Sequence, residues 1–150
     1  MTAANDNQGW VLYHDLAMWK DGEAKLKWVG SLAIGDKVEL LGNKGEFVAE
    51  GSNDKRDYIK IRFGDKEAWV RDIFVSQGGS MGLLVADKAK IYSEPRAIKV
   101  TAKTLNGPGV LAIAEEKDGF FKIRYYDYGA KMIYDNETWV QKSDISTSEA

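Results

Sequence analysis

The sequence predicts an all-β protein built as two tandem units, small barrels or sandwiches, packed together. Three observations carry this expectation. One pattern runs twice along the 150 residues, its central segments alternate apolar with polar side chains, and glycine-rich turn signals interrupt the chain at short intervals. The first copy holds Tyr58-Ile59-Lys60-Ile61-Arg62-Phe63, Trp69-Val70 and Asp72-Ile73; the second holds Phe120-Phe121-Lys122-Ile123-Arg124-Tyr125, Trp139-Val140 and Asp144-Ile145. Ile59, Ile61 and Phe63 share one face of a strand, with Tyr58, Lys60 and Arg62 on the other. Phe121, Ile123 and Tyr125 repeat that face in the second copy, opposite Phe120, Lys122 and Arg124. No window sustains three turns of helical periodicity.

Taken in order, residues 1–8 are polar and form a flexible lead-in. The first domain, 9–75, opens on Gly9-Trp10-Val11-Leu12 and Met18-Trp19. It turns at Gly35-Asp36, alternates Val38 and Leu40 with Lys37 and Glu39, and turns again at 42–45, 51–54 and 64–66. Residues 76–81, rich in Gly and Ser, read as a linker. The second domain, 82–146, opens on Gly82-Leu83-Leu84-Val85 and Ile91-Tyr92, turns at Asn106-Gly107-Pro108-Gly109, and is followed by a flexible tail at 147–150. Compared with the first copy, the second is shorter by 11 residues in its middle and longer by 8 near its end. Loops of different length between matching strands produce such offsets.

Composition narrows the chemistry. With no cysteine and the single histidine His14, the chain has no disulfide, thiolate metal site or cysteine nucleophile. His14-Asp15 lacks a third catalytic group, no Gly-x-Ser-x-Gly elbow occurs, and the Asn/Asp clusters at 5–9 and 53–57 do not complete a calcium loop. We therefore expect no enzyme activity, no cofactor and no metal. A formal net charge of −2 without a basic block disfavours nucleic acid as a partner, and no apolar stretch is long enough for a membrane span. The N-terminus has neither the basic region nor the apolar core of a signal peptide. It fits a cytoplasmic protein or a mature chain whose leader was removed.

Each half resembles a bacterial SH3 (SH3b) domain. The first offers Leu32-Ala33-Ile34-Gly35-Asp36-Lys37-Val38-Glu39-Leu40-Leu41, Asp57-Tyr58-Ile59-Lys60-Ile61 and Ala68-Trp69-Val70. The second offers Ile91-Tyr92-Ser93-Glu94-Pro95, Asp118-Gly119-Phe120-Phe121-Lys122-Ile123 and Thr138-Trp139-Val140. The glycine that the family places before the Trp-Val strand is Ala68 in one copy and Thr138 in the other, and the first copy lacks the early proline. The resemblance implies SH3-like barrels, a final helical turn in each, an extracytoplasmic setting, and a peptide, cell-wall fragment or protein as partner.

With catalytic groups scarce, the 17 aromatic residues become the functional candidates. Trp69 and Trp139 lie within strands and read as core. Trp10, Tyr13, Trp19 and Trp28, near the opening strand and the loop after it, suit an aromatic shelf for a ligand, and Tyr92 is their counterpart in the second copy. Tyr126, Tyr128 and Tyr134 occupy the longer segment of the second copy and project from a hairpin, facing either a ligand or the neighbouring domain. The alternatives are thus a binding module with aromatic grooves and an adaptor in an envelope assembly.

Overall fold

The computed structural model describes residues 3–147, with side chains from residue 6 onward. Every regular element longer than three residues is a strand, as the alternation requires. In chain order these are β1 (Ala3–Val11), β2 (Leu16–Lys20), β3 (Lys27–Leu32), β4 (Lys37–Val48), β5 (Lys55–Phe63), β6 (Lys66–Arg71) and β7 (Val75–Leu84). Then come β8 (Lys88–Tyr92), β9 (Val100–Asn106), β10 (Gly109–Lys117), β11 (Phe120–Asp127), β12 (Met132–Tyr134), β13 (Trp139–Gln141) and β14 (Ile145–Ser146). Three 3₁₀ turns, Asp72–Phe74, Ala97–Lys99 and Lys142–Asp144, complete the elements. No helix among the described residues is long and apolar enough to cross a membrane.

The chain divides into two compact units, Ala4–Gln77 and the part from Gly78 onward. In the first, hydrogen-bonded neighbours run β3-β2-β6-β5-β4-β1-β7; in the second, β7-β10-β11-β13-β8-β9, with β14 also on β7 and β12 on β11. The strand pairs are antiparallel. Neither path closes on itself: β3 ends the first and β9 the second. The architecture is thus all-β and antiparallel.

Each unit has its own core. Val11, Leu16, Met18, Leu32, Val38, Ile61, Ala68 and Val70 fill the first. Leu84, Ile91, Leu105, Leu111, Ile113, Phe121, Ile123, Tyr125, Val140 and Ile145 are the larger members of the second. Burying one such aliphatic side chain contributes about 1.5–3 kcal/mol. A second, aromatic cluster lies on the opposite face of the same strands, made by Tyr58 and Trp69 in one unit and by Phe120 and Trp139 in the other.

Strand register places the two copies in correspondence. Trp69 sits opposite Lys60 and Trp19, and Trp139 sits opposite Lys122 and Tyr92. The length differences also acquire locations. In the first unit β4 and β5 are joined through residues 49–54, where β10 and β11 turn on Asp118-Gly119 alone. The extra residues of the second copy form the excursion between β11 and β13 that contains β12.

Three local expectations are corrected. Residues 3–8 of the expected lead-in belong to β1, where Gln8 pairs with Glu39. The supposed linker 76–81 lies inside β7, with Ser80 opposite Ile113 and Met81 opposite Ala112. Gly79 serves close approach rather than flexibility: it has φ +68°, and a Cβ there would strike the Ile113 carbonyl oxygen. The turn expected at 42–45 is absorbed into β4 as an irregularity, because pairing jumps from Leu40–Ile61 to Lys44–Ile59. Residues 1–2 of the lead-in and 148–150 of the tail lie outside the described residues.

Candidate functional site

The first unit carries an open groove of about 440 Å³. Its aromatic lining is Tyr13, Trp19, Tyr58 and Phe74, with Arg56 and Arg71 among them and Asp15, Glu50 and Asp54 as its acidic residues. Five pieces of chain supply it: the turn after β1, strand β2, the 49–54 connection, the outward face of β5 with the end of β6, and the 3₁₀ turn at Asp72–Phe74.

Period-two alternation sets the floor. With Ile61 and Val70 committed to the core, Tyr58 and Arg71 emerge on the other face, directly opposite each other across the β5–β6 ladder. Tyr58 is buried beside Phe47, ring centroids 6.2 Å apart, and Phe47 packs 4.8 Å from Trp69. Trp69 donates its indole N–H to Asp21 Oδ1 at 3.1 Å. The Arg71 guanidinium lies 5.6 Å from the Phe74 ring centroid, and Phe74 packs 4.3 Å from Tyr13. Burial raises the Tyr58 hydroxyl pKa above the ordinary tyrosine value, and the charges of Arg71 and Arg56 oppose that rise.

The wall is tied down by backbone. Leu26 donates its N–H to the Val48 carbonyl at 2.9 Å and accepts from Glu50 N at 2.8 Å. Lys25 Nζ donates to the Ser52 carbonyl at 2.7 Å and to Asn53 Oδ1 at 3.2 Å. These bonds fasten the β2–β3 loop to the 49–54 connection, so the wall does not depend on side-chain packing alone. The second copy lacks that connection, and at the position of Arg71 it has Gln141 opposite Phe120. The groove as built therefore belongs to the first unit. A larger hollow of about 570 Å³ around the β2–β3 loop has no aromatic lining; charged Lys20, Asp21, Glu23, Lys25 and Lys27 dominate it.

The candidate aromatics separate accordingly. Tyr13 and Trp19 are in the groove. Trp10 is buried, with Lys37 Nζ 5.7 Å from its ring, on the face of β1 opposite Val11, and it lies outside the groove lining. Tyr92 is likewise buried, edge-on to Phe120 with centroids 4.9 Å apart. Trp28 is 56% exposed opposite Trp19 and lies outside the groove lining. Tyr126 and Tyr128 meet edge to face at 4.8 Å, but Tyr134 pairs opposite Tyr125 and packs on the second core, so the three do not project together. Trp69 and Trp139 are buried, as expected of strand tryptophans. His14 is exposed in the turn between β1 and β2 rather than on a strand, stacked 5.2 Å from Tyr13.

Sequence reading missed Arg56, Tyr58, Arg71 and Phe74 as groove residues. For Tyr58 the signal was its polar-face position in β5; for Arg71 it was the two-residue spacing from Trp69, which puts both on one face.

The site and fold define a class: an all-β chain of two repeated units, one of which carries an aromatic groove with a cationic floor. No family model matches the chain, and no curated protein matches it. It is similar to two solved structures, NlpC2 and NlpC1 from Trichomonas vaginalis, at 17% and 16% identity and a TM-score of 0.34 for each. The alignments cover 98% and 99% of this chain but 49% and 48% of those, so the chain spans about half their length. A TM-score of that size establishes neither family nor function.

Proposed function

We propose that this protein is a non-enzymatic binding module that holds a short extended peptide segment in the groove of its first unit. The observation that carries the reading is the groove itself: about 440 Å³, open, and lined by four aromatic rings with charges of both signs. Flat aromatic faces give an extended chain contact area at small entropic cost, and the interspersed charges give it register. We also read each unit as an SH3b-like barrel. Supporting this are the repeated cross-strand partners of Trp69 and Trp139 and the 3₁₀ turns before β7 and β14. With the resemblance, that reading favours a cell-wall stem peptide or partner-protein segment and an extracytoplasmic setting.

The test is retention of a pooled random pentapeptide library by the full chain, compared with Trp19→Ala and Tyr13→Ala. The reading expects retained peptides to bind about tenfold more weakly to either variant. Retention unchanged by both substitutions, or none by the wild type, refutes it.

A second reading, an adaptor that pairs with a partner protein, is favoured by one observation: end strand β9 is mostly exposed, with Val100 47% and the preceding Ile98 79% accessible. It expects strand-mediated association that Val100→Lys abolishes, without peptide binding.

A further inference from the structure

The groove contains a cation without a counter-ion. Arg71 lines it, and Arg71 Nε is buried with no hydrogen-bond partner. The acids nearby are engaged elsewhere or stand apart. Asp54 pairs with Arg56 at 3.3 Å, Glu50 accepts from Trp28 N at 2.8 Å, and Asp15 is exposed in the turn after β1. Among the described residues Arg71 forms no ion pair. Arg71 itself lines the groove, and the fork of a guanidinium matches a carboxylate. Nor does the repeated fold require the charge, since Gln141 occupies the matching register position in the second unit.

We propose that the groove recognises a segment bearing a carboxylate, seated on Arg71, with the adjoining apolar part of the ligand on Tyr13 and Trp19. This rests on the peptide-binding reading above and names the chemistry that the groove selects. A single carboxylate fits better than a polyanion. Asp15, Glu50 and Asp54 contribute negative charge to the same groove, and the chain has a formal net charge of −2. The carboxylate can come from a free C-terminus or from an acidic side chain, and the probes separate these sources.

The experiment uses the full chain and a pentapeptide library randomised without Asp or Glu, in four forms: free acid or C-terminal amide, each with or without one added internal Glu. For the wild type, forms with a carboxylate bind about tenfold or more tightly than the neutral amide, the size expected of a charge-assisted hydrogen bond. The free-acid and Glu-containing arms show which carboxylate the groove takes. Arg71→Gln reduces that preference to about onefold, and Arg71→Lys keeps part of it. Equal binding of all four forms by the wild type overturns the inference while leaving the groove reading intact. Retention insensitive to Trp19→Ala and Tyr13→Ala defeats the groove reading and this inference with it. The wild-type comparison needs no variant, so a folding defect in Arg71→Gln does not spare the proposal.

Discussion

Replacing Asp127 is expected to destabilise the second unit. This carboxylate is fully buried. It accepts from Asn106 N at 2.9 Å, from Asn106 Nδ2 at 3.2 Å to each oxygen, and from Ala130 N at 3.0 Å. Asn106 in turn accepts from Tyr125 OH at 2.7 Å, so one buried acid organises the end of β9, the end of β11 and the turn after it. Hydrogen bonds to a charged acceptor contribute about 1.5–3 kcal/mol each, and an orphaned buried donor costs about as much. Ala130 is exposed, and its N–H regains water once the acid is gone; the half-buried Asn106 does so less well. The net cost of Asp127→Ala is therefore about 3 kcal/mol, and that of Asp127→Asn about 2 kcal/mol, since the amide oxygen keeps one donor. A unit of this size has a total stability of only about 4–10 kcal/mol. The readout is native-state hydrogen exchange at the Ile123 amide, which is bonded to the Thr138 carbonyl at 2.9 Å. Protection falls about a hundredfold in Asp127→Ala. A fall of less than about fivefold refutes the claim that this network holds the unit together.

Two titrations probe buried tyrosines, Tyr125 on β11 and Tyr58 on β5. Burial, with the charges of Asp127 and Tyr128 adding to it, pushes Tyr125 up to about 12. Its folded value lies above the unfolded one, so the stabilisation is complete below the ordinary tyrosine range near pH ~10 and is lost as pH rises through about 12. Ultraviolet phenolate titration of wild type against Tyr125→Phe will show a tyrosine titrating near pH 12 that is missing from the variant. Tyr58 is raised by burial and pulled back by Arg71 and Arg56, so Arg71→Gln moves its titration higher still. Ring-carbon NMR of Tyr58 checks this without any ligand, and an unchanged or lower value contradicts the juxtaposition on the groove floor.

Local pattern made the fold class legible. Alternation at Ile59 and Ile61 and at Phe121 and Ile123 identified the core face of β5 and β11, and the repeat matched Trp69 with Trp139 in equivalent registers. What local pattern misjudged was decided by long-range pairing. Polar residues 3–8 read as a lead-in, but β1 pairs with β4 about 30 residues away, at Gln8–Glu39. Gly79 read as part of a linker because flexibility and backbone close packing call for the same residue. The site was half legible. Aromatic density pointed to Tyr13 and Trp19 but equally to Trp10 and Tyr92, whose burial depends on tertiary packing. The cationic floor went unseen because Arg71 reaches Phe74 through a 3₁₀ turn and Tyr58 through strand register.

The most direct test of the groove is a two-dimensional NMR map of the full chain with the library peptide it retains best. Shifts concentrated on Tyr13, Trp19, Tyr58, Arg71 and Phe74 are the predicted result. Shifts centred instead on Tyr126 and Tyr128 or along β9, with the groove unmoved, contradict it.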